Sequence, residues 1–300
     1  MIWFLAKRLM WMALTLWIVF TISFFLMRAV PGGPFSSDRA LSPAMEKNFK
    51  AKYQLDQPIS VQYAVHLWRT VRLDLGMSFR MGDFTVNEII AQGFPVSASL
   101  GILSMAFALS LGLTAGTLSA LWRGGFADHA VMAAATMGVA LPNFVIASGC
   151  IFLFVFMATI FPAECWGSMS QLVLPSLALG GPYAAYIARL TRTGMLDVLG
   201  QDYIRTAVAK GLPTHQVVLR HALRGAMLPV VSFLGPAMAG ILTGSIVVER
   251  IFFIPGLGSH FVEGALQRDY TVAMGMVLIY TTLLYTMNML VDLCYSLLDP

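Results

Sequence analysis

The residues best suited to a functional contact lie in a polar segment, 189–224, that separates two apolar stretches. Arg205 and Lys210 belong to its charged faces. Five uncharged residues follow the spacing i, i+3, i+4, i+7 and i+8, which predicts one face of an amphipathic helix: Ile204, Ala207, Val208, Gly211 and Leu212. Such a face suits docking into a groove on another protein, so the predicted chemistry is binding. The alternative is an interfacial helix whose charges only orient the chain in a membrane.

Covalent chemistry has no comparable candidate in the sequence. The patterns H-E-x-x-H, G-x-S-x-G and G-x-x-x-x-G-K-[ST] are absent, so we predict no catalytic residue and no ATP site in this chain. Cys150, Cys165 and Cys294 are too scattered for a metal cluster or a disulfide framework, and we expect free thiols and no bound metal or cofactor.

The chain that carries this segment is too apolar for a water-soluble domain. Its hydrophobic fraction is 58%, its charged fraction is 11% and its mean hydropathy is +0.75, whereas ordinary soluble domains have roughly 25% charged residues. We therefore predict an all-α membrane protein with six transmembrane helices in lipid. Six charge-free windows are long enough to cross a bilayer about 30 Å thick: 9–27, 89–122, 130–163, 165–188, 225–248 and 270–291.

Lysine and arginine in the short segments predict the orientation of these helices. Nine lie in the N-terminal tail and in the second and fourth loops, whereas two lie in the fifth loop and none in the third. The first loop is left out of this count, because loops longer than about 60 residues cross a membrane largely regardless of charge. We expect both termini in the cytoplasm and the first loop outside. The net charge of +4 thus has a topological meaning, and we expect no nucleic-acid partner.

The interiors of the windows also exclude several functions. No Asp, Glu, Lys, Arg or His lies deep inside any window, whereas ion-coupled carriers and intramembrane hydrolases need ionisable groups there. A secondary carrier or channel nevertheless remains the alternative class. Small residues at Gly101, Ala108, Gly112 and Gly116 predict closely packed helices, and Pro142 predicts a break in the third window.

The polar segment 189–224 resembles the signature of the permeases of binding-protein-dependent ATP-binding-cassette importers, which reads E-A-A, three residues, G, and later I-x-L-P. Arg205-Thr206-Ala207-Val208-Ala209-Lys210-Gly211 matches the first half, with Arg205 and Thr206 in place of Glu and Ala. Leu228-Pro229 matches the end. The stretch between Gly211 and Leu228 is longer than in the general signature by about one helical turn.

Other motifs resemble the peptide-importing branch of this family, and most of all the B-type membrane subunit of oligopeptide permeases. They follow one another along nearly the whole chain: Arg28-Ala29-Val30-Pro31-Gly32-Gly33-Pro34-Phe35, Asp74-Leu75-Gly76-Met77-Ser78, Phe94-Pro95-Val96-Ser97 opening the second helix, Arg220-His221-Ala222-Leu223, Ile254-Pro255-Gly256-Leu257-Gly258, Arg268-Asp269-Tyr270 and Leu298-Asp299-Pro300.

The resemblance implies a type I importer fold in a bacterial inner membrane. It also implies partners: a second, C-type permease, two ATPase subunits that use ATP and Mg, and a periplasmic peptide-binding protein. Oligopeptides are the expected cargo, with dipeptides, glutathione or nickel chelates as alternatives. Leu228 and Pro229 would end the signature, and Pro255, Gly256, Leu257 and Gly258 would form a periplasmic gate or a structural turn. The residues implied to dock on an ATPase and transmit its movement are Tyr203, Ile204, Arg205, Thr206, Ala207, Val208, Lys210, Gly211 and Leu212.

The expected domain organisation follows from the windows and the resemblance together. A cytoplasmic tail at 1–8 precedes transmembrane helix 1 at 9–28 and a periplasmic loop at 29–94. A type-1 transmembrane domain at 95–293 holds helices 2–6 and the cytoplasmic coupling loop 189–224, and a cytoplasmic tail at 294–300 ends the chain.

Overall fold

The computed structural model describes residues 2–29, 51, 53–162, 166–244 and 246–298. Within these ranges the regular elements are helices, apart from an isolated antiparallel bridge between Met77 and Thr85. Cys165, residues 30–35 and Asp299-Pro300, which figure in the sequence predictions, lie outside the described residues. The helices are α1 (Ile2–Ala29), α2 (Ile59–Val71), α3 (Val86–Leu121), α4 (Phe126–Ala140), α5 (Asn143–Cys150), α6 (Met169–Leu199), α7 (Asp202–Ala209), α8 (Thr214–Gln216), α9 (Leu223–Ala226), α10 (Leu228–Gly244), α11 (Ile246–Ile251), α12 (Leu257–Leu266) and α13 (Tyr270–Leu298), with π-helical turns at Ile151–Met157 and Val217–Ala222.

Several described helices are long and apolar enough to cross a membrane. Four pass singly, and these are Ala6–Ala29, Val86–Leu121, Leu228–Ile251 and Tyr270–Leu293. A fifth span is obtained if α4 and the helix that begins at Asn143 form one broken crossing. The all-helical membrane class is therefore confirmed.

The third predicted helix is broken at the predicted proline. The pair Phe126–Ala140 and Asn143–Met157 is bent by 110° at this break. Pro142 has no N–H to donate to a carbonyl of α4, and Leu141 takes the extended conformation that a residue before proline prefers, with φ −80° and ψ 130°. The chain therefore starts a new helix after Pro142.

The second predicted helix begins earlier than its motif indicates. Phe94-Pro95-Val96-Ser97 was expected to open this helix, but α3 starts at Val86 and contains Pro95 in its interior. The Glu88 carboxylate accepts hydrogen bonds from the N–H and the hydroxyl of Thr85, and the Thr85 hydroxyl oxygen accepts the N–H of Glu88. This reciprocal capping starts the helix at Val86 although the following turns are not yet strongly apolar.

The chain divides into two compact units, the first comprising 1–97 and 255–285 and the second 98–254 and 286–300. In the second unit α6 is the central helix and contacts α4, α5, α9, α10 and α11. A Cβ atom added to Gly116 would lie 2.5 Å from the carbonyl oxygen of Ala188, and one added to Gly112 would lie 2.7 Å from Ile187. Small residues therefore allow α3 and α6 to approach closely, as the sequence predicts.

The first unit has its own apolar core. Phe20 and Phe24 of α1 are buried against Met274 and Leu278 of α13, and Tyr63 of α2 packs on the same cluster. A second cluster joins the start of α3 to α12 and α13 through Val86, Leu257 and Met276.

Candidate functional site on helix α7

Helix α7 lies where the sequence predicts a docking helix, but its uncharged face is turned towards its own chain. Ile204 and Ala207 are only 4% and 6% exposed and pack in a cluster with Met195, Val218 and Ala226. The prediction that this face meets a partner is wrong for these two side chains. The periodicity identified an apolar face correctly, but that face belongs to the core of the second unit. The residues that α7 and its C-terminal turn expose are Asp202, Tyr203, Arg205, Thr206, Val208, Ala209, Lys210 and Gly211.

The end of α7 explains the glycine of the signature. The helix stops at Ala209, and Gly211 has a φ of +77°, a conformation that favours glycine. The N–H of Gly211 donates to the carbonyl of Val208 at 2.9 Å, and the N–H of Leu212 donates to the carbonyl of Ala207 at 3.3 Å. These two bonds form a Schellman motif, which returns Leu212 to the buried cluster. The predicted continuous helix through Leu212 is thus corrected to a helix and a capping turn.

A π-helical turn, Val217–Ala222, directly follows α8 and was not expected from the sequence. Val217, Val218 and Ala222 of this turn are buried in the same cluster as Ile204, whereas Leu219 is 63% exposed. The turn lies in the stretch that exceeds the general signature by about one helical turn, and this extra length was the available sequence signal.

The signature ends at the first turn of α10. Leu228 is the first residue of this helix and Pro229 the second, and both are exposed. Proline is tolerated in a first turn because its missing N–H would have no helical partner there. Upstream, a Cβ atom on Gly225 would lie 3.3 Å from the Tyr203 hydroxyl and 3.1 Å from Val198, so Gly225 leaves room for Tyr203.

An ion pair that sequence reasoning missed supports α6 close to this site. The Arg192 guanidinium donates to both carboxylate oxygens of Asp128, with distances of 2.6 and 2.7 Å. The Asp128 carboxylate also accepts the Ser119 hydroxyl and the Gly124 N–H. In the sequence Arg192 contributes only to a count of positive charge, because nothing local connects it to an acidic residue 64 positions earlier.

The four-residue turn predicted as a gate or support forms the start of α12. Gly256 is its N-cap, and Leu257 and Gly258 are buried, whereas Pro255 is exposed. The N–H of Leu257 donates to the Ser97 hydroxyl at 2.8 Å, and a Cβ atom on Gly93 would lie 3.2 Å from the Leu257 nitrogen. This buried, capped geometry favours the structural role for the turn.

Asp269 connects two of the predicted motifs in the first unit. Its carboxylate is 2% exposed and accepts the Ser78 hydroxyl at 2.5 Å and the Arg80 N–H at 3.1 Å through one oxygen. The other oxygen accepts the Thr271 hydroxyl at 2.8 Å and the Val272 N–H at 3.1 Å. The carboxylate therefore caps α13 and fixes the 74–80 loop to its first turn.

Among the described residues, no group of three His, Cys, Asp or Glu side chains is arranged to hold a metal ion.

The described residues form a helical, multi-pass fold in which the short helix α7 lies between apolar segments. A chain of the MetNI methionine ABC transporter, solved in inward-facing conformations, matches this chain with a TM-score of 0.59 and 19% identity, over 71% of this chain and 97% of that one. The fold is therefore that of a type I ABC importer permease.

The chain belongs to the family of binding-protein-dependent transport system inner membrane components, whose model matches residues 112–300. Its relatives include the dipeptide transport system permease protein DppB of Bacillus subtilis, which is 45% identical over 99% of this chain and 96% of its own length. The oligopeptide transport system permease proteins OppB of Haemophilus influenzae and Escherichia coli are 44% and 42% identical, each over 100% of this chain and 99% of their own length.

Proposed function

We propose that this chain is the B-type permease subunit of a peptide importer driven by ATP hydrolysis in partner subunits. The observation that carries the proposal is the full-length identity of 42–45% to permeases named for dipeptide and oligopeptide transport. The partners are a second permease of the C-type, two ATPase subunits that use ATP and Mg, and a periplasmic peptide-binding protein. Oligopeptides are the proposed cargo, and dipeptides, glutathione and nickel chelates are the alternatives within the family.

The proposed topology has six spans and cytoplasmic termini, with the 29–94 loop outside and the 189–224 loop inside. The span that completes the six is α6, which lies between α5 and α10 in the chain. It is 31 residues long but is not among the helices that pass as spans by composition. Gln171, Pro175, Ser176 and Pro182 make α6 less apolar. Because α6 contacts helices α4, α5, α9, α10 and α11, it does not need a lipid-like surface on every side. The nine-to-two distribution of basic residues supports this orientation.

We place the ATPase contact on the exposed side of α7, formed by Tyr203, Arg205, Thr206, Val208 and Lys210. Tyr203 is 49% exposed and Val208 is 59% exposed, so this side offers apolar area together with two positive charges. Ile204, Ala207 and Leu212 then contribute indirectly, because they join α7 to the core of the second unit. Gly211 sets the end of the helix, and Leu228 and Pro229 begin the next membrane helix.

Val208→Asp is expected to weaken strongly the ATPase stimulation that loaded binding protein produces, while the permease still folds. Val208 is exposed in the isolated chain, so the new carboxylate stays solvated until a partner covers it, and burying it unpaired in the interface is costly. We expect at least tenfold weaker stimulation, since each 1.4 kcal/mol of lost interaction corresponds to a factor of ten. The measurement is the ATPase rate of the purified complex in lipid, with and without loaded binding protein.

Leu219→Asp is the matched control for this variant. Leu219 is as exposed as Val208 and lies in the same loop, but on the π-helical turn rather than on α7. Normal stimulation in the Leu219 variant and lost stimulation in the Val208 variant supports the α7 surface. Full stimulation in the Val208 variant contradicts the proposed contact, and a native complex that contains no ATPase contradicts the importer itself.

The cargo class is tested with the native complex in proteoliposomes. We expect ATP-dependent accumulation of radiolabelled tri- to pentapeptides when the cognate binding protein is present. Accumulation of glutathione or a nickel chelate in their place assigns the chain to another importer of the same family.

A further inference from the structure

A cavity in the first unit has no role in the proposed coupling mechanism. It has a volume of about 150 Å³ and is lined by residues 53–54, by α2, by the 76–79 loop and by the first turn of α13. Its principal walls are Tyr53, His66, Arg69, Met77, Phe79 and Thr271.

The back of the cavity is held in place by hydrogen bonds. The Tyr53 hydroxyl donates to the Ser78 carbonyl at 3.3 Å, and the Thr271 hydroxyl lies 2.8 Å from the Met77 carbonyl. The rings of Tyr53 and Phe79 pack edge to face with their centroids 4.7 Å apart. This side of the cavity is therefore preformed and largely aromatic.

The cavity lining also includes the positive charge of Arg69, an exposed residue. The nearby negative charges are those of Asp74, which acts on His66, and of Asp269, which acts on Tyr53. Among the described residues, neither carboxylate forms an ion pair with the Arg69 guanidinium. The neighbouring Arg28 is held by neutral groups: it donates to the Gln62 side-chain oxygen at 2.8 Å and lies over the Phe24 ring at 3.5 Å. Cations held in this way retain their attraction for an anion.

His66 adds a hydrogen-bonding group without adding charge. Burial, followed by the positive charges of Arg28 and Arg69, lowers its pKa from 6.5 to about 4, and Asp74 opposes this shift. Those three side chains are the charged groups that act on the imidazole. At neutral pH the ring is therefore uncharged, and its N–H can donate to a ligand.

We propose that this cavity binds a small carboxylate that carries an apolar group, which is the chemistry of the C-terminal residue of a peptide. Arg69 pairs with the carboxylate, a bond that is stronger and more directional than one between neutral groups. Tyr53, Met77 and Phe79 contact the apolar side chain. A phosphate fits less well, because it would leave the aromatic wall without a partner. The identification with peptide cargo rests on the proposed function, whereas the carboxylate chemistry rests on the cavity alone.

The test is the protection of His66 from diethyl pyrocarbonate, which modifies neutral imidazoles, in the complete importer in nanodiscs without binding protein. Mass spectrometry gives the modification rate of His66 and of the exposed His215 as an internal reference. The probes are N-acetyl-leucine, N-acetyl-leucinamide and inorganic phosphate. We expect N-acetyl-leucine to slow modification of His66 at least threefold, and the amide and phosphate to have little effect.

Arg69→Gln and Arg72→Gln are the matched variants. Arg72 follows α2 directly but stacks on the Trp68 ring at 4.5 Å and does not line the cavity. Loss of the charged bond in the Arg69 variant should raise the half-protecting concentration about tenfold or more, and the Arg72 variant should behave as the native chain. If His66 proves unreactive, equilibrium binding of radiolabelled N-acetyl-leucine provides the same comparison.

Three outcomes overturn the proposal: no protection by the carboxylate, equal protection by the amide, or equal protection by phosphate. Equal protection by phosphate assigns the cavity to a lipid headgroup or a free anion instead. Because the assay does not use transport, a complex that imports peptides but shows no protection refutes only the cavity. A complex that shows protection but no peptide import refutes only the proposed cargo.

The low pKa of His66 makes a separate prediction about pH. A free histidine becomes protonated as the pH falls below 6.5, but His66 should stay neutral until about pH 4. Its modification rate, corrected for reagent decay, should therefore change little between pH 7.5 and 5.5. Between pH 6.5 and about 4 the histidine of the unfolded chain binds a proton that the folded chain does not. His66 therefore lowers native-state stability as the pH falls from 6.5 towards 4. A rate that falls severalfold by pH 5.5 contradicts this assignment.

Discussion

Asp269→Asn is expected to lower the free energy of unfolding by about 3 kcal/mol, although it only replaces a carboxylate by a carboxamide of the same shape. Each carboxylate oxygen of Asp269 accepts two hydrogen bonds, from Ser78 and Arg80 on one side and from Thr271 and Val272 on the other. An amide keeps one of these acceptors and turns its NH₂ group towards the two donors of the other. Buried donors without an acceptor cost about 1–3 kcal/mol each.

Asp202→Asn is the control for this substitution. Asp202 has a polar partner too, since it makes an ion pair with Arg205 at 3.4 Å, but the side chains of Asp202 and Arg205 are 96% and 75% exposed. Exposed pairs of this kind contribute about 0–1 kcal/mol, so the control should unfold with the native chain. The measurement is denaturant-induced unfolding of the reconstituted permease followed by tryptophan fluorescence. A variant of Asp269 as stable as the Asp202 variant shows that the 74–80 loop does not depend on this carboxylate.

Gly116→Ala should destabilise the permease by about 1–3 kcal/mol, which is typical of overpacking in a close-packed interior. The added methyl group would lie 2.5 Å from the Ala188 carbonyl oxygen and 2.7 Å from the Thr191 side chain, so α3 and α6 must move apart. The sign of this stability change is informative, because alanine stabilises a helix by about 1 kcal/mol relative to glycine when nothing else changes. A loss of stability therefore reports the close contact between α3 and α6.

Gly149→Ala separates the helix propensity of alanine from the effect of overpacking. Gly149 also lies within a helix, but apart from its chain neighbours and the backbone of its own helix, no atom of the described residues lies within 4 Å of the position that its Cβ would occupy. This variant should be as stable as the native chain or slightly more stable in the same unfolding assay. Equal stability of the two variants would mean that α3 and α6 are not held at this short distance.

Composition and local pattern were sufficient for the class of fold and for its small-residue contacts. Bilayer thickness and helical rise set the lengths of the apolar windows, and proline chemistry is local, so the break at Pro142 was also predictable. The span formed by α6 is harder to recognise, because a helix surrounded by protein does not need an apolar surface on every side.

The candidate site was predicted in place but not in orientation. Periodicity shows that Ile204 and Ala207 share an apolar face, but it cannot show whether a partner or the same chain covers that face. Gly211 was assigned to the face for the same reason, whereas its conformation makes it the end of the helix. The motif that contains Asp269 was recognised, but its contact with Ser78 was not, because the two residues are 191 positions apart in sequence.

The burial of Ile204 and Ala207 has a mechanical consequence for the proposed importer. A short helix attached only by its ends would shift relative to the rest of the protein and would transmit only part of any displacement applied to it. Here α7 shares one close-packed cluster with Met195 near the C-terminal end of α6, and the Arg192–Asp128 pair secures α6 to α4. A displacement of the exposed side of α7 should therefore move α7, α6 and α4 together, with little relative movement between them.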